Sequence, residues 1–327
     1  MMADRRVLSA IGENMDWWII VLIVLAVVVV LLTVGARYAL TRAFLSERKR
    51  GADYYRGLDS GRCYDPVRCR ALIEKILSLD VERVYIKSHD GLALVGYYHE
   101  VKRGAPVEIF FHGFRGSWQR DFCGITEAAI EVGHNVLFVD QRAHGESEGR
   151  VITYGINERK DALRWIEYAC RRFGENTEIV LVGASMGGAT VLSCAGLELP
   201  KNVKAIISDS AFSSPIGIIT KVAGGGTFRN ALVRSGASLT ARVLCGFNLF
   251  ESSALESVKN SKIPIMLVHG LGDRLVPHEM AEELVASNPA VRLESFEGAD
   301  HIQSYLVDSD RYKAAYKDFL KNSGVRV

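Results

Sequence analysis

A serine with small residues around it is where chemistry first concentrates in this chain. Gly183-Ala184-Ser185-Met186-Gly187 lies between the apolar run "EIVLV" and a helical pattern over 185–196. A sharp strand-to-helix turn crowds its own neighbours, so glycine at both ±2 positions relieves it and lets the hydroxyl project. A serine hydroxyl is a poor nucleophile at neutral pH and needs a base. Of the eight histidines, His301 in "FEGADHIQS" follows the last strand-like run and precedes the last helix. The base in turn needs a carboxylate to fix its tautomer and stabilise the imidazolium. Asp273 in "PIMLVHGLGDRLVP" stands just past a strand, and Asp300 immediately precedes the histidine. Adjacent side chains rarely align for a bond to the ring, which favours Asp273. A tetrahedral intermediate also needs donors for its oxyanion. The backbone N–H of Met186, next after the serine, is one. The N–H of Phe114, in "IFFHGFRGSW", is the second. His112 is read as fixing that loop by hydrogen bonding rather than moving protons. His99, His134 and His278 read as surface or packing residues, and His269 as part of a strand.

The elements that must position these groups alternate in type. "RVYIKS" and "LALVGYYHE", joined at His89-Asp90-Gly91, predict an antiparallel hairpin. Then come "VEIFFHG", a helix over 120–133, "NVLFVD", a helix over 157–174, "EIVLVG" and the helix after Ser185. "AIISDS", a long stretch over 211–262, "PIMLVHG", a helix over 277–287, "VRLESFEG" and a helix over 310–321 follow. The strands are near-continuous Val/Ile/Leu runs, as expected where both faces of a parallel sheet are covered. The predicted fold class is α/β: a three-layer, mostly parallel, eight-stranded sheet. Reactive groups in such sheets gather at the carboxyl ends of the strands, where the serine, the aspartate and the histidine all fall.

These residues resemble the α/β-hydrolase superfamily over about 80–325. The resemblance rests on GASMGG, HGF, HGLGD and GADH, and on Asp140-Gln141-Arg142-Ala143-His144-Gly145-Glu146-Ser147, which looks like the D-x-R-G-x-G-x-S turn after the fourth strand. "TYGINERKDALRWIEY" resembles the segment that often follows it. Together they look like the membrane-associated Bem46 and ABHD13-like hydrolases. The resemblance implies an α/β-hydrolase fold with a triad of Ser185, Asp273 and His301 in the order usual for the fold. Ala143 departs from the pattern, which often has glycine there. A positive φ at that position would strain an alanine. The fold hosts many reactions, so the resemblance leaves the substrate open.

The 211–262 stretch is too long for an ordinary loop. Its apolar helical patterns and Gly224-Gly225-Gly226 predict a small helical lid, and its apolar content points to an apolar acyl group.

From Trp17 to Ala36 no residue is charged. At about 1.5 Å each, such a run spans about 30 Å, a bilayer core. Trp17, Trp18 and Tyr38 mark the ends, where aromatic rings favour the interface. The run is longer than the apolar region of a cleaved leader, so an uncleaved single-pass anchor over 17–36 is expected, after a 1–16 tail. Arg37, Arg42, Arg48, Lys49 and Arg50 outweigh Arg5 and Arg6, which puts the large domain on the cytoplasmic side. Residues 37–78 read as a linker with a short amphipathic helix, and 79–327 as the hydrolase domain.

Apolar content of 48% and charged content of 24% describe a globular chain, and a formal net charge of +2 without a basic stripe argues against nucleic-acid binding. The six cysteines form no zinc-spaced cluster. Cys63 and Cys69 would close a small loop if oxidised outside the cytosol. The leading expectation is a serine hydrolase that cleaves a small-molecule acyl ester and needs neither metal nor organic cofactor. An acyltransferase, thioesterase or peptidase would use the same triad. A non-catalytic membrane-tethered binding protein is the reading from another class; here no member of the constellation is missing.

Overall fold

A computed structural model describes residues 17–46, 54, 55, 58, 61, 63–224 and 226–327. The chain divides into two compact units at Ala43/Phe44. In the first, helix α1 (Trp17–Phe44) contains a 19-residue apolar span, Trp17–Gly35, with mean hydropathy 3.2. It is the one helix among the described residues long and apolar enough to cross a membrane. The helix continues to Phe44, through the start of the stretch expected to be linker. The rest of that stretch lies partly outside the described residues.

The second unit opens with α2 (Pro66–Leu77), capped by Asp65, whose Oδ1 accepts the Arg68 N–H at 2.9 Å. The strands are β1 (Glu82–Lys87), β2 (Ala93–His99), β3 (Val107–Phe111), β4 (Asn135–Val139), β5 (Ile179–Ala184), β6 (Val203–Asp209), β7 (Ile265–Gly270) and β8 (Arg292–Phe296). They form one sheet in the order β1-β2-β4-β3-β5-β6-β7-β8. Only β2 runs against its neighbours; from β4 to β8 every pairing is parallel. This is the predicted eight-stranded, mostly parallel α/β-hydrolase sheet.

Every residue of β3, β4 and β5 is buried. Ile109 and Phe111 join one apolar cluster and Phe110 the other, because successive strand side chains point to opposite faces. Between β3 and β4 lie α3 (Trp118–Asp121) and α4 (Ile125–Glu131), where one longer helix was expected; Gly124 separates them. A Cβ there would come 2.4 Å from the Tyr305 ring. Helix α5 (Glu158–Phe173) buries Ala162, Trp165, Ile166 and Ala169 on one face of the sheet, and α6 (Met186–Cys194) follows β5. The 211–262 insertion holds α7 (Pro215–Ala223), α8 (Thr227–Leu244) and α9 (Ala254–Val258). Helices α10 (Glu279–Ser287), α11 (Ser304–Val307) and α12 (Ser309–Asn322) complete the fold. Helix α12 buries Tyr312, Ala315, Tyr316, Phe319 and Leu320, an i, i+3, i+4, i+7, i+8 stripe.

Chain order reverses at β3, which has β4 on one side and β5 on the other. Such a switch point opens a crevice at the carboxyl ends of its strands. Phe111 pairs with Gly183 in register, so the loops that follow β3 and β5 emerge side by side.

Candidate active site

Ser185 stands between β5 and α6 with φ 54°, in the left-handed region that a side chain rarely adopts. The turn is tight. A Cβ on Gly187 would lie 1.6 Å from the Phe111 carbonyl oxygen, and one on Gly183 would lie 2.2 Å from the Gly187 oxygen. Only hydrogen fits at either place, which is the physical content of the small-residue spacing. The Ser185 N–H donates to the Asp209 carbonyl at 2.8 Å, and the Ala189 N–H donates to the Ser185 carbonyl at 2.9 Å. The strain is thus held from both sides. Ser185 is mostly buried, and among the described residues its hydroxyl makes no hydrogen bond to a protein group, His301 included.

His301 and Asp273 come together from loops after β8 and β7. The His301 Nδ1–H donates to Asp273 Oδ2 at 2.7 Å. A carboxylate only accepts, so Nδ1 carries a hydrogen, and in the neutral ring Nε2 then has the lone pair. Asp273 Oδ1 accepts the N–H groups of Leu275 and Val276 at 2.9 and 2.8 Å. His269, at 3.4 Å from Oδ2, also donates to the Val276 carbonyl at 2.9 Å. Burial opposes the charge on Asp273, but the bonds from His269, His301 and Val276 more than offset it and hold the carboxyl well below the usual range. Asp300 does not meet the ring. It binds the Arg274 guanidinium and accepts the His301 backbone N–H at 2.9 Å.

The loop after β3 lies against the serine: a Cβ on Gly113 would sit 3.2 Å from the Ser185 Cβ. Its shape is set by four hydrogen bonds. Gly113 N–H donates to Asp121 Oδ2 at 2.8 Å. The His112 Nδ1–H donates to the Gly113 carbonyl at 2.9 Å, and His112 Nε2 accepts the Gln141 N–H at 3.2 Å. The Arg115 N–H donates to His144 Nε2 at 2.9 Å. Both ring nitrogens of His112 are therefore engaged with backbone. Burial, then the neighbouring His112, pushes His144 down to about 3, so it serves as a neutral acceptor. Among the described residues, the N–H groups of half-buried Phe114 and buried Met186 donate to no protein acceptor.

Further parts of the frame include the 140–147 turn, whose motif was visible in sequence but whose contacts were not. Asp140 receives the Glu146 N–H at 2.8 Å, and a Cβ on Gly145 would strike its carboxylate. Ala143 has φ 65°, the strained case considered above, and is buried beside Met186 and Phe212. Arg142 lies among Asp161, Asp90 and His89, so its guanidinium supplies the positive charge that this acidic group would otherwise draw from a cation. Asp209, at the end of β6, is buried, and that burial pushes its carboxyl up to about 6. All six cysteines are free thiols. Cys69 lies 4.0 Å from Cys123 rather than bridged to Cys63.

Comparison with known proteins agrees with this fold. A model of the α/β hydrolase fold family matches residues 106–223. The uncharacterized protein YfhR of Salmonella typhi is 28% identical over 261 residues, 74% of this chain and 81% of its own. The Pyrococcus furiosus esterase Pf2001 superposes with a TM-score of 0.61 at 25% identity, covering 76% of this chain and 93% of the esterase. Ferulic acid-bound Est1E from Butyrivibrio proteoclasticus superposes at 0.56 with 23% identity, over 73% of this chain and 98% of its own. The chain has the α/β-hydrolase fold.

Proposed function

We propose that this chain is a membrane-anchored serine hydrolase that cleaves an acyl ester through an acyl-enzyme. The observation that carries the reading is the 2.7 Å bond that leaves His301 with a basic Nε2. Ser185, in its strained turn at the same strand ends, is the nucleophile. His301 Nε2 takes the Ser185 proton as Oγ attacks the acyl carbon. Asp273 stabilises the imidazolium. The oxyanion is received by the N–H groups of Phe114 and Met186, which have no other partner among the described residues. Collapse breaks the ester C–O bond, and His301 protonates the departing alcohol. Water, deprotonated by His301, then attacks the acyl-serine, and the acid and free Ser185 are released.

An apolar acyl group suits the surroundings. Phe114, Tyr154, Met186, Phe212, Ile218, Val276 and Met280 share one apolar cluster that reaches from the oxyanion loops into α7. We read the insertion of α7, α8 and α9 as a lid for this site, with Ile218 of α7 packed in that cluster. The apolar span of α1 is read as the anchor, with the basic flank and the hydrolase unit in the cytoplasm. The motifs taken together, GASMGG, HGF, HGLGD, GADH, the 140–147 turn and the segment after it, are the reason to place the chain near the Bem46 and ABHD13-like group.

The test is fluorophosphonate labelling of the full-length protein beside Ser185→Ala, with p-nitrophenyl esters of increasing chain length. Labelling and turnover lost together in the variant are expected. A folded wild-type protein that neither labels nor turns over any ester would overturn the reading. Product analysis with an added alcohol separates hydrolysis from acyl transfer.

A further inference from the structure

Helix α8 turns most of its larger apolar side chains, Val233 excepted, away from the protein. At about 100° per residue, Phe228, Leu232, Leu239 and Val243 fall within a sector of about 60°. Their exposures are 79%, 59%, 65% and 66%. The opposite face carries Asn230, Val233, Ala237 and Ala241, all partly or wholly buried. A surface helix of a soluble protein has the reverse arrangement, with its larger apolar residues inward.

Charge identifies what the outer face meets. Between Asp209 and Glu251 the chain has no acidic residue and four basic ones, Lys221, Arg229, Arg234 and Arg242, although it holds 38 acidic residues in all. Arg229 and Arg242 flank the apolar stripe on either side. Arg242 is exposed, and the Arg229 guanidinium, which donates one N–H to the Ala223 carbonyl at 2.7 Å, keeps further N–H groups for an anion. An apolar stripe edged with arginine matches acyl chains below anionic headgroups. It is a poor match for a second copy, whose like charges would face one another.

We propose that α8 docks its Phe228, Leu232, Leu239 and Val243 face on the surface of an anionic bilayer. The proposal deepens the membrane-anchored reading above and rests on it. It gives the lid a seat at the source of an apolar substrate.

The test is amide hydrogen exchange across 227–244 in the full-length protein, reconstituted in nanodiscs of phosphatidylcholine alone or mixed with phosphatidylserine. The readout is independent of ester turnover, so failure of docking and failure of the hydrolase reading are distinguishable. In the mixed discs, exchange is expected to slow by about ten-fold or more. The variant Phe228→Ser/Leu232→Ser/Leu239→Ser should lose that protection with an unchanged thermal melt, since these side chains face solvent. Arg229→Gln/Arg242→Gln should lose the preference for the mixed discs. Equal exchange in both discs overturns the proposal. So does protection that survives the triple substitution, or that appears in detergent and rises with protein concentration, which would mark a second copy as the occupant.

Discussion

The Ile302 N–H donates to Ser210 Oγ at 3.1 Å, across 92 residues of chain. Both residues hold a positive φ, 55° and 54°. Because the amide must donate, the Ser210 hydroxyl gives its own hydrogen to Asp209 Oδ1, at 3.0 Å. This ties the end of β6 to the residue next to His301, and so positions the proposed base. Ser210→Ala should lower kcat by about ten-fold, the worth of one such buried bond, and leave KM nearly unchanged. Ser210→Gly relieves the backbone strain but lacks the hydroxyl, and should lose as much rate. Full activity in both variants would show that the link does no positioning.

Asp273→Asn tests the orienting carboxylate. An asparagine can donate to Nδ1, which moves the ring hydrogen to Nε2 and removes the base. Turnover should fall by about a thousand-fold or more. Fluorophosphonate labelling should slow in parallel. Asp300→Asn, by contrast, breaks only the Arg274 pair and should keep most of the activity.

Asp209 gives the protein a stability that depends on pH. Its carboxyl ordinarily titrates at 3.8, and burial raises it in the folded state to about 6. The folded protein therefore holds this proton more tightly than the unfolded chain. The associated stability is fully present below pH 3.8 and is lost as the pH rises through about 6. Asp209→Asn keeps an acceptor for Ser210 but cannot ionise. Relative to wild type it should gain stability between pH 4 and 7, by up to about 3 kcal/mol, and show little difference near pH 3. Urea melts across that range measure it; a difference that is flat with pH would refute it.

Two glycines should respond in opposite directions. Gly187→Ala drives a Cβ into the Phe111 carbonyl, which is backbone and cannot swing aside. It should cost several kcal/mol, about 3 or more, and abolish labelling. Gly236 lies in exposed α8 with nothing within 4 Å of an added Cβ. Gly236→Ala should stabilise by about 0.5–1 kcal/mol through helix propensity alone. Thermal melts of the two variants decide both.

Sequence alone carried much of this protein. Near-continuous apolar runs alternating with helical patterns gave the layers and the eight strands, because strands covered on both faces must be apolar throughout. Ser185 was legible because a strained turn tolerates only certain neighbours, and those are adjacent in the chain. His301 and Asp273 were legible as strand-end residues in the expected order. The unbroken run from Trp17 was equally plain.

What tertiary structure decided are the relationships between residues far apart in the chain. Sequence cannot show that Asp209 is buried, since a charged residue at a strand end can equally well be solvated. Nor can it show that Ser210 grips Ile302, that Asp121 and His144 hold the loop after β3, or that Arg142 fills an acidic cluster. Each depends on which strands become neighbours, and the reversal at β3 sets that. The outward stripe of α8 belongs to the same class. Its apolar spacing reads as an ordinary buried face until the fold shows that Ala237 and Ala241 point inward and Phe228 and Leu239 outward. Periodicity reveals that a helix has two faces, and only packing reveals which of them the protein covers.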